Sequence, residues 1–182
     1  KIVKPVMGET VLDMCAAPGG KSFSIAEAMG NKGKLYSFDL YDGKISMLRD
    51  GAKRLGISII TADVNDASVY NENMPMADRV LCDVVCSGLG VIRRKPEIKY
   101  KPKTALEEIP PIQKQILKTA SRYVKVGGTL IYSTCTLNFD ENEGVVEEFL
   151  KENKNFAPVA VPIDIEKEGA DYCRNFFPDV TG

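Results

Sequence analysis

Histidine is missing from all 182 residues, and with it the commonest general base and every Ser-His or Cys-His dyad. The five cysteines stand singly at 15, 82, 86, 135 and 173 and form no Cys-x-x-Cys pair, so we expect no metal site. Basic and acidic side chains, 24 against 25, leave a formal net charge of −1. Because there is no global positive field, a nucleic-acid partner would need a local basic patch.

Long apolar runs are also missing. No stretch approaches the roughly 20 residues that cross a bilayer, and we find no signal peptide, so we expect no membrane partner. Isolated thiols suit a reducing compartment, so we expect a cytoplasmic protein, with a monomer favoured. The apolar content of 44% is enough for a single domain with a core over residues 1–182. Since the chain starts at Lys1 without a methionine, we expect a fragment of a longer protein.

Strand-like segments alternate with helix-like segments along the chain. Predicted strands cover 9–15, 34–40, 57–63, 78–85 and 129–134, and a sixth covers 156–162. Predicted helices cover 21–30 and 44–56, followed by one opened by Pro111 and stopped by Gly127-Gly128, and one capped by Asn138 with Glu141. The alternation predicts an α/β fold with a Rossmann-like, doubly wound, mostly parallel sheet in the order 3-2-1-4-5.

An aspartate stands at or near the carboxyl end of each of the first four predicted strands: Asp13, Asp39, Asp63 and Asp83. Ligands of open α/β sheets bind outside these strand ends, and a row of carboxylates suits a ligand rich in hydroxyls and amines. A single aspartate at such a place would more often only cap a helix or form an Asx-turn. Four in register favour a binding site.

The stretch "DMCAAPGGKS" (13–22) predicts a strand-turn-helix junction whose paired glycines let the backbone approach a ligand. Asp39 follows Gly19 by twenty residues, a spacing that suits ribose hydroxyls. The turn is neither G-x-G-x-x-G nor a P-loop, so a dinucleotide pyrophosphate or a cradled phosphate is disfavoured. A compact nucleoside without phosphates fits better, and S-adenosylmethionine is the obvious candidate.

Between Val91 and Lys103, which we call the basic segment, six basic side chains stand against one glutamate. Such a run is often only a solvated loop, but a long loop in a compact domain is usually functional. We expect phosphate contacts here, with Tyr100 as a stacking surface. The candidate RNA-binding residues are Arg93, Arg94, Lys95, Lys99 and Tyr100. In the expected strand order, Cys86 and Cys135 follow neighbouring strands and should lie side by side.

Three motifs, "DMCAAPGGKS", "DVVCSGLGVIRRKPEIKY" and "YSTCTLNFDENE", together strongly resemble the RNA (cytosine-5)-methyltransferases. The likeness is greatest to bacterial 16S ribosomal RNA enzymes of the Sun/Fmu (RsmB) type and runs from about residue 8 to residue 155. It implies the fold of the class I S-adenosylmethionine-dependent methyltransferases. The RNA-binding segments that family members carry upstream, and the last strand of their sheet, are not visible here.

The resemblance also implies S-adenosylmethionine as cofactor and RNA, in particular ribosomal RNA, as partner. Cofactor binding would fall to Cys15, Ala16, Ala17, Pro18, Gly19, Gly20, Lys21, Asp39 at the ribose, Asp63 near the adenine, and Asp83. Catalysis would fall to Cys135 as nucleophile, Cys86 in product release, and Lys21 and Asp83, which would hold the target base. Val85 stands where the family has a proline, a difference that bears on the placement of Cys86.

The chemistry of cytosine explains why two thiols are useful. Attack of a thiolate on carbon 6 makes the ring an enamine, whose carbon 5 can then take a methyl group. Three alternatives remain: a module that binds the cofactor without turnover, a methyltransferase acting on transfer RNA, and a nicotinamide-dependent dehydrogenase, which the turn at 15–20 disfavours.

Overall fold

The computed structural model describes residues 3–161, which fall into two compact units. The first, the sheet unit, comprises 3–85 and 115–133, and the second, the cysteine unit, comprises 86–114 and 134–161 of the described residues. Each unit is considered by itself.

The sheet unit is built on five parallel strands in the order β3-β2-β1-β4-β5, which confirms the predicted α/β architecture and strand order. The strands are β1 (Thr10–Asp13), β2 (Lys34–Asp39), β3 (Ile60–Val64), β4 (Ala77–Asp83) and β5 (Val124–Ser133). The crossover helices include α1 (Gly20–Ala28) and α2 (Asp42–Arg54). Each begins and ends close to its predicted bounds, with a glycine soon after its last turn.

Apolar side chains on both faces of the strands explain the near-continuous hydrophobic runs in the sequence, as expected of a parallel sheet. On β1, Val11 packs in a cluster with Ile25 and Met29 of the α1 region, whereas Leu12 packs in another cluster that contains Tyr123. The buried strand residues are concentrated in β1, β2 and β4, whereas β3 and β5 at the two sides of the sheet are more exposed. The polar carboxyl ends are the part of the sheet left for a ligand.

The longer connections carry short helices that periodicity did not predict. Within the cysteine unit, two 3₁₀ turns (Leu89–Val91 and Pro96–Tyr100) precede α3 (Lys103–Glu107). Helix α4 spans Ile109–Ser121, and a third 3₁₀ turn (Phe139–Glu141) precedes α5 (Glu143–Glu152). None of the helices in the described range is both long and apolar enough to cross a membrane.

The prediction that Gly127-Gly128 stops a helix is wrong. Helix α4 ends at Ser121, and both glycines lie inside β5, where the register with β4 slips between Ala77 and Arg79. Gly127 has φ +78°, a left-handed conformation that favours glycine at a bulge. A Cβ on Gly128 would lie 2.9 Å from the carbonyl oxygen of Asp78. The glycines therefore serve strand pairing rather than helix termination.

Two other predictions fall at the end of the chain. Residues 156–161 form no strand, so the proposed sixth strand is not present in the part that the structure describes. Position 162 and Cys173 lie outside the described residues.

Candidate active site

The four predicted aspartates lie at the carboxyl ends of four neighbouring strands. Asp13 pairs in register with Ser37 of β2, and Asp63 with Phe38, one position before Asp39. Asp83 is the last residue of β4. The carboxylates therefore line one edge of the sheet, but their surroundings differ.

Asp13 is completely buried and accepts a 2.7 Å hydrogen bond from the hydroxyl of Ser22, whose oxygen also lies 2.8 Å from the hydroxyl of Ser37. Its other oxygen, Oδ1, has no hydrogen-bond partner among the described groups. Burial raises the pKa of Asp13 to about 6, against the opposing hydrogen bond from Ser22, and the nearby charge of Asp83 raises it further. This carboxyl is therefore a polar group held at the sheet edge with part of its bonding capacity unused.

The predicted cofactor-binding turn, residues 15–20, joins β1 to α1. The Ala17–Pro18 peptide bond is cis, and Gly19 precedes the helix with φ +109°. A Cβ on Gly19 would lie 2.5 Å from the ring of Phe23, so conformation and space both require glycine here. Burial raises the pKa of Cys15 to about 12, which leaves that thiol protonated and unreactive.

Asp39 is mostly buried and receives the backbone N–H of Tyr41 at 3.3 Å and the ammonium of Lys44 at 3.4 Å. Immediately beyond it lies a depression of about 660 Å³ at the ends of β2 and β3. Its lining residues are Leu40, Val64, Asn65, Asp66, Val69, Tyr70, Asn71 and Glu72. Sequence reasoning missed this wall because it lies in an irregular connection.

Tyr70 gives the depression a rigid aromatic side. Its ring stacks on Tyr123 at 5.1 Å between centroids, and the guanidinium of Arg122 lies 3.4 Å from its centroid. Asp63, predicted near an adenine, is not among the lining residues. Its carboxylate lies 3.6 Å from Arg49 and accepts the N–H of Val64.

Asp83 is held from two sides within the sheet unit. The ammonium of Lys21 donates to Oδ2 and the hydroxyl of Ser133 donates to Oδ1, each at 2.5 Å. The side chains of Lys21 and Asp83 are 54% and 29% exposed, so the pair faces solvent. Ser133 was not predicted, although it stands two residues before Cys135 in the STCT motif.

Within the cysteine unit, the sulfurs of Cys86 and Cys135 are 2.7 Å apart, and neither forms a disulfide. The expected adjacency of the two thiols is thus observed. Cys135 is exposed and its backbone N–H donates to the sulfur of Cys86 at 3.1 Å. Burial, reinforced by the contact with Cys135, raises the pKa of Cys86 to about 12. At neutral pH, Cys86 is therefore a thiol that can donate its proton to the sulfur of Cys135.

The residue after each cysteine is tied to the other segment. The hydroxyls of Ser87 and Thr136 share a 2.7 Å hydrogen bond, and the N–H of Ser87 donates to the buried carboxylate of Glu141 at 2.8 Å. Glu141 was predicted only as a helix-capping partner of Asn138. The side-chain amide of Asn138 does donate to Glu141 at 3.1 Å, but Asn138 caps the 3₁₀ turn and Asn142 precedes α5, so the predicted cap of the longer helix is wrong. The long-range contact with Ser87 carries no sequence signal.

The basic segment is exposed at every candidate RNA-binding residue, and Tyr100 is 87% exposed. Lys101, by contrast, donates to the carbonyl oxygen of Ser87 at 3.0 Å. In residues 3–161 there is no cluster of three or more His, Cys, Asp or Glu side chains suited to hold a metal ion.

Comparisons with known proteins agree on one group. Residues 1–181 match the family profile described as 16S rRNA methyltransferase RsmB/F. The chain is 44% identical to a probable ribosomal RNA small subunit methyltransferase B of Bacillus subtilis, over 98% of this chain and 40% of that protein. It is 40% identical to the protein of the same name from Synechocystis, over 86% of this chain and 36% of that one.

A solved structure of NSun6 from Pyrococcus horikoshii with SFG is similar in both sequence and fold. The TM-score is 0.84 at 30% identity, over 92% of this chain and 43% of that chain. The chain therefore spans about 40% of the length of such relatives.

Proposed function

The chain belongs to the family of 16S rRNA methyltransferases RsmB/F, and we propose that it is the catalytic region of an enzyme that methylates carbon 5 of cytosine in RNA. The methyl donor is S-adenosylmethionine and the RNA is 16S ribosomal RNA. The observation that carries the proposal is the contact between Cys86 and Cys135, because cytosine-5 chemistry requires a thiol nucleophile and a way to release it.

The sheet unit fits the proposed cofactor. Asp39 stands at the strand end where a ribose hydroxyl would be bound, and the depression beyond it offers Tyr70 as an aromatic wall and polar groups at its rim. In the turn before α1, a Cβ on Gly20 would meet nothing within 4 Å, so a ligand could approach the backbone closely there. S-adenosylmethionine, when bound, supplies an electrophilic methyl group.

Cys135 is the proposed nucleophile because its sulfur is exposed and Cys86 lies against it. The thiol of Cys86 can donate a hydrogen bond to the sulfur of Cys135 and so orient it. The thiolate would add to carbon 6 of the cytosine, so that the C6–S bond forms as the C5–C6 double bond opens. Carbon 5 would then take the methyl group, whose bond to the donor sulfonium breaks and leaves a neutral thioether.

Asp83 and Lys21 are proposed to hold the cytosine. The carboxylate accepts from Lys21 and Ser133, which fixes its orientation, and a proton shared with ring nitrogen 3 would stabilise the charge that the thiolate addition puts on the ring.

Release requires that carbon 5 lose its proton and the C6–S bond break. Because its pKa is about 12, Cys86 at rest holds its own proton and is not a free base. This favours a water that Cys86 orients as the group that takes the carbon 5 proton. Cys135 then leaves as a thiolate.

The test uses the full-length parent protein with labelled S-adenosylmethionine and RNA. We expect label on one cytosine of 16S ribosomal RNA, mapped as 5-methylcytosine, and a covalent adduct with RNA containing 5-fluorocytidine. Cys135→Ala should abolish both, whereas Cys82→Ala, which removes a thiol buried in the hydrophobic core of the sheet unit, should leave the adduct.

The outcomes separate the alternatives. Label on transfer RNA alone would replace the ribosomal substrate, and cofactor binding without any transfer would indicate a binding module. An undiminished adduct in Cys135→Ala would exclude Cys135 as the nucleophile.

A further inference from the structure

Glu141 is a carboxylate with no exposed surface in the cysteine unit, and the proposed mechanism does not use it. Burying a carboxylate is costly unless several donors meet it. It ends the 3₁₀ turn Phe139–Glu141, directly before α5. A short exposed turn does not need such a residue, so its contacts must lie elsewhere.

Those contacts join two distant segments of the chain. One oxygen, Oε2, accepts the backbone N–H of Ser87 at 2.8 Å and the side-chain amide of Gln113 at 3.2 Å. The other, Oε1, accepts the side-chain amide of Asn138 at 3.1 Å. Ser87 directly follows Cys86, and Asn138 lies three residues after Cys135. A single carboxylate therefore binds the segments that carry both thiols.

Further bonds join the same two segments. Besides the Ser87–Thr136 hydroxyl pair, the N–H of Gly90 donates to the carbonyl oxygen of Cys135 at 3.1 Å. The N–H, hydroxyl and carbonyl of Ser87 are thus all engaged, the last by Lys101. Because charged acceptors make the stronger hydrogen bonds, Glu141 is the strongest single link in this set.

We propose that Glu141 is a positioning residue that holds the Cys86 and Cys135 segments together and so keeps the two sulfurs in contact. Its place in catalysis rests on the proposed function. Its effect on the two thiols does not, because that effect is argued from the bonds of Glu141 and the sulfur contact alone.

The experiment measures how strongly the two thiols are held together, in the full-length protein. In a glutathione redox buffer, the dithiol and one oxidised glutathione exchange for the protein disulfide and two reduced glutathiones. The equilibrium constant of this exchange is the effective concentration of one thiol at the other. Mass spectrometry of the peptides that contain Cys86 and Cys135 measures the fraction of this pair in the disulfide form and distinguishes it from the other cysteines.

We expect Glu141→Gln, which keeps the shape and removes the charge, to lower the effective concentration about tenfold. The effective concentration in Glu141→Asp should lie between that of Glu141→Gln and that of the parent, since aspartate restores the carboxylate on a shorter side chain. Glu147→Gln makes the same chemical change at an exposed position of α5 and should have no effect. Methyl transfer should fall through kcat, with the KM for the cofactor unchanged.

An effective concentration in Glu141→Gln equal to or above that of the parent would overturn the inference. Should that variant fail to fold by circular dichroism, Thr136→Val decides. It removes the hydroxyl bond to Ser87 and the bond that the same hydroxyl accepts from the N–H of Asn138, and it should lower the value about threefold. An unchanged value in Thr136→Val would also overturn it. If the thiol coupling falls as expected but the parent transfers no methyl group, the positioning role stands and the proposed function fails.

Discussion

Asp13 should make the stability of the protein depend on pH in a direction opposite to that of most carboxylates. It is fully buried, and its pKa is raised from 3.8 to about 6. In the unfolded chain the group ionises near its ordinary value. Between these two values the folded state binds more protons than the unfolded state. The free energy of unfolding contributed by Asp13 is therefore greatest below pH 3.8 and is lost as the pH rises through 6.

The size of the effect follows from the shift. A raised pKa of about 2.2 units corresponds to about 3 kcal/mol between strongly acidic and neutral solution, at about 1.36 kcal/mol per unit. Integrating the same linkage between pH 8 and pH 5 gives about 1.4 kcal/mol. The nearby charge of Asp83 raises the pKa of Asp13 and that of Lys21 lowers it, so the two partly offset each other and burial sets the direction.

Asp13→Asn removes the titration and keeps an acceptor for the hydroxyl of Ser22. Its amide adds a buried donor where Oδ1 has no partner, and that cost does not depend on pH. The informative quantity is therefore the difference between variant and parent as a function of pH. In urea unfolding, the free energy of unfolding of the variant minus that of the parent should rise by about 1.4 kcal/mol from pH 5 to pH 8.

The control is Asp50→Asn, an exposed carboxylate on α2. Its difference from the parent should stay flat over the same pH range. If Asp13→Asn also gave a flat difference, or one that fell with rising pH, the reasoning from burial would be refuted.

Three further outcomes follow from the site. Cys86→Ala should let a protein–RNA adduct accumulate on natural RNA, seen as a band in a denaturing gel; normal turnover without such a band would contradict a role in release. Gly90→Ala places a Cβ 2.9 Å from the carbonyl oxygen of Cys135 and should lower methyl transfer about tenfold, whereas Gly43→Ala meets nothing within 4 Å and should not. Glutamine at both arginines of the basic segment should reduce the salt dependence of RNA binding by about 1.4 in the slope of log K against log salt; an unchanged slope would remove these side chains from the RNA surface.

Local patterns were sufficient for most of the sheet and for its strand order, but not for the first half of β5. Apolar strand-like segments that alternate with glycine-terminated helical segments predict the bounds of β1, β2 and β4 closely. The preference for right-handed crossovers predicts the order of the strands. The adjacency of Cys86 and Cys135 follows from that order, since each comes shortly after one of two paired strands.

Contacts between distant residues were the part that the sequence did not predict. Gly127-Gly128 have the composition of a helix stop, and only pairing with β4 makes them a bulge. Glu141 has the spacing of a capping residue, and the contact with Ser87, 54 residues away, gives it a different use. The role of Asp63 stays a prediction, since its observed partners are Arg49 and its own neighbour's amide.

Strand pairing also explains how the two thiols can be brought together at a small entropy cost. Cys86 and Cys135 are 49 residues apart, and closing a loop of that length from an unfolded chain carries a large entropy cost. Once β4 pairs with β5, Asp83 lies opposite Ser133, and only residues 84–85 and 134 separate this pair from the two cysteines. The loop that remains is short, so most of the entropy has been lost before the sulfurs meet. What is left is the orientation of two short segments, a task that a few hydrogen bonds of about 1 kcal/mol each can accomplish. Removing the link at Glu141 should therefore loosen the thiols without unfolding the sheet, which is the separation that the redox measurement and a urea titration together would detect.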